Sequence, residues 1–196
     1  MDDRIWAEIE AAGPRPDAGN FDPLVVDDVL AAERAATQYD RRRAFIASYA
    51  WAIPTRNAIE HIATALGDLK LLEVGAGIGL WAKLLSDAGV SVIATDGVSP
   101  LQKPWFDIEV AEAAAAVESH RDCRALFLCW PAFKDSCAHR ALTAFEGDLL
   151  VYAGDVRFTG DAQFHALLDE AWSLTESIPL PSWPGTADGV HIYARA

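Results

Sequence analysis

The sequence predicts an α/β protein: a doubly wound sheet of five parallel strands, closed by a C-terminal antiparallel hairpin and preceded by helices. Three observations carry this. From residue 70 to 171, short apolar runs alternate with amphipathic stretches of helical period, the signature of successive parallel units with right-handed crossovers. A turn rich in glycine, "EVGAGIGLW", joins the first run to the first such helix. At the end, "SLTESIPLP" and "VHIYARA" follow one another without an intervening helix, so they are expected to pair with each other antiparallel.

Taken in order, residues 1–22 are acidic and interrupted by Gly13, Pro14, Pro16 and Gly19, which predicts an N-terminal arm or a short helix and a loop. Ordered structure is expected from about Pro23, with a helical extension over 23–66 and the sheet domain over 67–196. An Ala-rich stretch from Asp27 to about Tyr49 favours a helix that "YAWAIPT" ends at Pro54. Thr55 then caps a second helix with Ile59, Ile62, Ala63 and Leu66 on one face and Gly67 as its stop. "KLLEV" reads as a buried strand, and the helix from Gly79 turns Leu80, Trp81, Leu84, Leu85 and Ala88 inward. "VSVIATD", "WFDIEV", "ALFLCW" and "DLLVYAGD" are the remaining parallel strands, separated by "AEAAAAVESH" and "KDSCAHRALTAF" as helices. A last helix, "DAQFHALLDEAW", presents Phe164, Leu167, Leu168 and Ala171 on one side, with Asp161 as its N-cap.

Composition bounds the function. At 196 residues and 52% hydrophobic content, the chain supports one domain with a sizeable core. Sixteen Lys and Arg against twenty-nine Asp and Glu give a net charge of −13, which repels nucleic acid. The one compact basic run, Arg41 to Arg43, reads most simply as a solvated helix face. Cys123, Cys129 and Cys137 form no CxxC pair and no zinc spacing, so no metal is expected, and reduced thiols suit a cytoplasmic protein. The N-terminus has no secretory h-region, and no apolar stretch reaches the roughly 18 residues that cross a bilayer, so no membrane association is expected.

The glycine turn carries the chemistry. Gly75, Gly77 and Gly79 make G-x-G-x-G, which departs from the G-x-G-x-x-G dinucleotide fingerprint at its third glycine, and no Gly-Lys-Ser/Thr of a P-loop follows. Glu73, at the mouth of the strand, would repel a pyrophosphate at the helix start but attract a positively charged ligand. Asp96 ends the second strand 19 residues past Gly77, where an acid accepts hydrogen bonds from ribose hydroxyls. These residues point to a cationic nucleoside ligand.

"LLEVGAGIGLWAKLL" followed by "VIATD" resembles motif I and the next motif of the class I S-adenosylmethionine-dependent methyltransferases, and the likeness extends over roughly residues 45 to 196. In more detail, "YAWAIPT", "LFLCWPAF" and "FTGDAQFHALL" with "PSWPG" are similar to a small group of bacterial and fungal methyltransferase-like proteins of poorly defined substrate. The resemblance implies a Rossmann-like methyltransferase sheet, S-adenosylmethionine as cofactor, and cofactor binding by Glu73, Gly75, Ala76, Gly77, Gly79 and Asp96. That group usually reads Gly-Tyr-Trp at the turn, where this chain has Gly79, Leu80 and Trp81, so no tyrosine hydroxyl is available there.

On the acceptor side, "CWPAF" ends the fourth strand at the carboxyl edge of the sheet. Amine methyltransferases of the family carry Asn, Asp or Ser, then Pro-Pro and an aromatic residue; here the positions hold Trp130, Pro131, Ala132 and Phe133. An indole only donates, so the polar acceptor of that motif is gone and an aromatic wall replaces it. Trp51, Trp130, Pro131 and Phe133 are therefore the expected substrate-binding residues, with the N-terminal helices as a lid. His120, His139, His165 and Asp135 are the proton acceptors by residue type, and no catalytic residue is singled out among them. The function expected is methyl transfer to a small, partly apolar or aromatic acceptor. The alternatives are N-methylation of nucleic acid or protein, and a catalytically inactive binding protein on the same fold.

Overall fold

The computed structural model describes residues 3–14 and 29–196, with side chains from residue 36 onward in the second stretch. The start of ordered structure expected near Pro23 lies outside the described residues. Within the expected arm, Asp3–Ala12 form helix α1, whose Ile5, Trp6 and Ile9 are buried in the core. Helix α2 spans Val29–Ser48 and sends Phe45 into the same core. Thr55 accepts the Ala58 N–H at the start of α3, Arg56–Leu66, and Gly67 ends it at φ 53° with its N–H on the Ala63 carbonyl. Both caps match the sequence reading.

A seven-stranded sheet follows, in the order β3-β2-β1-β4-β5-β7-β6. Strands β1 (Leu71–Val74), β2 (Val92–Asp96), β3 (Glu109–Val110), β4 (Ala125–Cys129) and β5 (Leu149–Gly154) are parallel. The last two, β6 (Trp172–Pro179) and β7 (Gly189–Arg195), pair antiparallel as expected, and β7 inserts between β5 and β6. Helices α4 (Leu80–Asp87), α5 (Ala113–Ser119), α6 (Cys137–Ala144) and α7 (Ala162–Ala171) make the crossovers, and Asp161 caps α7 through the Phe164 N–H.

The pleat divides the strands between two cores. Leu71, Phe127, Val151 and Ile192 face α1, α3 and α4. Leu72, Val74, Leu126, Leu128, Leu150 and Tyr152 face α5, α6 and α7. The third strand is shorter than "WFDIEV" suggested. Trp105 gives its backbone N–H to Ile78 and its indole N–H to Ser48, so this stretch closes over the glycine turn and joins no ladder until Glu109.

Candidate active site

The glycine turn leaves β1 with Gly75, Gly77 and Gly79 at φ 76°, 59° and 76°. Such conformations explain the three glycines, because a Cβ in the left-handed region costs about 1–2 kcal/mol. Gly79 has a second reason: a Cβ there would lie 2.8 Å from Ile108 Cδ1 and 2.9 Å from Phe106 Cβ. Around Gly75 and Gly77, by contrast, a Cβ would meet nothing within 4 Å, so the turn is open above them. The Gly75 and Ala76 N–H groups donate to the Thr95 carbonyl at 2.9 Å, which fastens the turn to β2.

Asp96 completes that fastening. Its Oδ2 accepts the Gly77 N–H at 2.8 Å and its Oδ1 the Val98 N–H at 3.0 Å. Each carboxylate oxygen keeps lone-pair capacity for a further donor. Below the turn, Glu73 is 1% exposed and its Oε2 has no partner. Burial pushes its carboxyl from the ordinary 4.5 up to about 8; the Ala82 N–H, in the first turn of α4, opposes this, and the Asp96 charge adds to it.

Above the carboxyl ends of β1, β2 and β4 opens a cleft of about 300 Å³, bordered by Gly75, Asp96, Ala111, Cys129, Trp130 and Pro131. Burial first, then the charges of Glu73 and Asp188, hold the Cys129 thiol far above its ordinary value. That sulfur stays protonated and unreactive.

Trp130 closes the cleft at β4. It has φ 49°, a conformation no other non-glycine among the described residues adopts, with its backbone N–H on the Ala153 carbonyl at 2.8 Å. Its indole N–H donates to Asp188 Oδ1 at 3.0 Å, and its ring stacks on Trp51 at 5.4 Å and 22°. The Arg42 guanidinium lies 5.3 Å from the ring centre. Trp51 is held by its neighbour: the Ala52 carbonyl accepts the indole N–H of buried Trp81 on α4.

Of the other expected residues, Pro131 is buried and borders the cleft, whereas Phe133 is 55% exposed. Asp135 borders the cleft but accepts the Cys137 N–H. His120 contacts Glu109 at the sheet edge, His165 contacts the Thr159 carbonyl, and His139 lies half-buried on α6. The basic run is only partly a solvated face: Arg43 is exposed, over the Tyr39 ring. Arg41 donates to the Ala11 and Gly13 carbonyls at the end of α1, and Arg42 reaches Trp130, because α2 lays these side chains against α1 and the cleft. Arg42 and Asp188 escape sequence reasoning: "ADG" before a strand reads as a turn, and their partner Trp130 is far away in the chain.

No family model matches the chain, and no curated protein matches it by sequence. Solved structures do resemble it. The 1,6-didemethyltoxoflavin N1-methyltransferase of Burkholderia thailandensis, solved with 1,6-didemethyltoxoflavin and S-adenosylhomocysteine, is 14% identical with a TM-score of 0.55, over 88% of this chain and 93% of that one. A candidate tRNA (m1A22) methyltransferase of Streptococcus pneumoniae is 14% identical with a TM-score of 0.53, over 73% of this chain and 71% of that one. The latter, in complex with S-adenosyl-L-methionine, gives 14% and 0.52 over 73% and 74%. Strand order, antiparallel close and these likenesses together give the chain the fold of the class I S-adenosylmethionine-dependent methyltransferases.

Proposed function

We propose that the chain is an S-adenosylmethionine-dependent methyltransferase that acts on a small, partly apolar or aromatic acceptor. The observation that carries this reading is the Glu73 carboxylate, 1% exposed and with Oε2 unpartnered, beneath a glycine turn that is open above Gly75 and Gly77. A buried acid with an unsatisfied oxygen is costly, and a ligand bearing sulfonium and ammonium charges is what offsets it. An anionic pyrophosphate would add to the cost.

Glu73, Gly75, Ala76, Gly77, Gly79 and Asp96 are the proposed cofactor residues. Gly75 and Gly77 let the ligand approach the backbone, Gly79 fixes the turn against Phe106, and Asp96 offers its remaining lone pairs to ribose hydroxyls. When bound, S-adenosylmethionine supplies a methyl group activated on a sulfonium. The protein's own part is alignment and exclusion of water. Trp51 and Trp130 form a stacked wall for a flat acceptor, with Pro131 at its base, Phe133 at the outer rim and α2 as a lid through Arg42. A small acceptor also suits the Burkholderia neighbour, which was solved with 1,6-didemethyltoxoflavin. A nucleic acid suits this chain less: its charge is −13, and Arg41 and Arg42 are turned inward.

Calorimetric titration with S-adenosylmethionine, and with NAD in parallel, tests the reading. The expected result is micromolar binding of the first alone, abolished or severely weakened in Glu73→Gln and Asp96→Asn. A cation favours ionised Glu73, and the free carboxyl titrates near 8, so affinity rises from pH 6 to 8 and binding releases protons to the buffer. A folded protein that ignores S-adenosylmethionine would refute the proposal and favour a binding protein of another kind.

A further inference from the structure

Asp188 is the second buried carboxylate with an unpartnered oxygen. It is 4% exposed and sits just before β7, whose Gly189 pairs with Gly154 at the end of β5. Its Oδ1 accepts the Trp130 indole N–H at 3.0 Å, its backbone N–H donates to Ser182 Oγ at 2.8 Å, and its Oδ2 has no partner. Neighbouring Asp155 is built the opposite way. Its carboxylate takes the Arg157 guanidinium at 2.6 Å, the Arg157 N–H at 3.0 Å and the Ala187 N–H at 2.7 Å. Asp155 thus pins the residue before Asp188 while remaining fully engaged itself.

The environments of the two acids drive their protonation apart. Arg157 and the backbone donors hold Asp155 down to about 2. Burial raises Asp188 to about 6; the Asp155 charge adds to this, while the Trp130 N–H, Arg42 and the Thr186 hydroxyl oppose it. A locked anion beside a carboxyl poised near neutrality is the pattern of a proton acceptor.

Trp130 links Asp188 to the cleft. The cleft borders β1, β2 and β4, and Trp130 ends it at β4. Next along the sheet come β5 and β7, and just before β7 Asp188 receives the indole N–H of the Trp130 that borders the cleft.

We propose that Asp188 is the catalytic base: it takes the proton from the ring N–H of a planar heterocyclic acceptor stacked on the Trp51–Trp130 wall. This rests on the methyltransferase reading above. In the step, the acceptor nitrogen bonds the methyl carbon as the carbon–sulfur bond breaks, and the bonding pair returns to sulfur, leaving S-adenosylhomocysteine. The proton from that nitrogen moves to Asp188 Oδ2. Sulfonium and carboxylate charges disappear together, so the step balances.

The test uses the whole chain as wild type, Asp188→Asn and Trp130→Phe. In Asp188→Asn the carboxamide oxygen can still accept from the Trp130 indole. Three readouts are taken: S-adenosylmethionine affinity by calorimetry, the Trp130 indole signal in a ¹⁵N spectrum against pH, and S-adenosylhomocysteine release. The probes are 1,6-didemethyltoxoflavin, lumazine and xanthine as planar N–H acceptors, against ethanolamine and 2-mercaptoethanol.

In wild type, the indole signal should titrate with a midpoint near 6, and turnover of at least one planar probe should fall below that same pH. Asp188→Asn should keep cofactor affinity, flatten the indole titration and lose about a hundredfold or more in turnover. Trp130→Phe removes a donor to the anion, so its turnover limb should move to higher pH; this arm decides the matter if Asp188→Asn is unstable. The base assignment fails if wild type binds the cofactor yet methylates no planar probe, if Asp188→Asn keeps turnover, or if Asp188→Asn loses the cofactor instead. Failure of wild type to bind S-adenosylmethionine overturns the methyltransferase reading itself, a separate outcome.

Discussion

The β1–β2 edge of the proposed site is assembled from residues 73–79 and Asp96, whereas its β4–β7 edge draws Arg42, Trp51, Trp130 and Asp188 from four separate segments. The first edge works largely through its backbone. Positive φ angles at Gly75, Gly77 and Gly79, and main-chain donors onto Asp96 and Thr95, shape it. The second works through side chains that meet only once the sheet is formed. Each edge holds a buried acid with a free oxygen, Glu73 on one and Asp188 on the other, and Cys129 between them feels both charges. A site with an incompletely paired acid on each side is stable only at a cost, and that cost is where the comparison can be broken.

The largest expected effect is at Glu73. Its folded carboxyl titrates near 8 and its unfolded one near 4.5, so between those values the unfolded chain has lost a proton that the folded chain keeps. Stability of the free protein therefore falls as pH rises from about 4.5 to about 8, then levels. Asp188 contributes a fall of the same sign that ends near pH 6. Glu73→Gln should erase the slope above pH 6 and stabilise the free protein at pH 8 by on the order of 3 kcal/mol, or roughly 6–12 °C in Tm. Urea unfolding of both proteins at pH 5, 6, 7 and 8 measures this. Equal stability at pH 8 would mean that Glu73 already has a partner and that the two edges are not alike.

Next come the glycines, which separate packing from ligand access within one turn. Gly79→Ala meets strain and the Phe106 and Ile108 side chains, so a loss of about 2–3 kcal/mol is expected. Gly77→Ala meets strain alone, about 1–2 kcal/mol, yet places its methyl in the open space over the turn. Cofactor affinity should therefore fall further in Gly77→Ala than its stability loss accounts for. Thermal unfolding with calorimetry on both variants decides it; matched losses in the two would deny that the ligand lies over Gly77.

How much of this could be read from the sequence follows the same division. The turn was legible because a backbone requirement leaves a compositional mark: only glycine fits three positive φ values at alternate positions, and Thr55, Gly67 and Asp161 marked helix ends for similar local reasons. The shortened β3 was not, because Trp105 looks like a strand residue but spends its N–H groups on Ile78 and Ser48. Nor were Asp188 and Arg42. Their meaning depends on Trp130, which is 58 residues before Asp188 in the chain. Even Trp130, expected at the acceptor side, has a contact the sequence could not supply: its indole N–H is already taken by Asp188.

Trp51 and Phe133 are alike in the sequence, both aromatic and both expected at the acceptor, and the structure makes them unlike. Each is about half exposed, at 49% and 55%, but only Trp51 stacks on Trp130. Losing that ring removes one face of the wall while leaving the core intact, so Trp51→Ala should lower stability by only about 0.5–1 kcal/mol. Cofactor affinity should hold, since the glycine turn and Asp96 are untouched. Binding of a flat probe such as lumazine should weaken by about tenfold, the equivalent of roughly 1.4 kcal/mol of lost stacking. Phe133→Ala, measured beside it by calorimetry with the cofactor present, should change neither affinity, because its ring is 55% exposed and borders no part of the cleft. If Phe133→Ala weakens the probe and Trp51→Ala does not, the acceptor lies outside the indole pair and the wall is only packing.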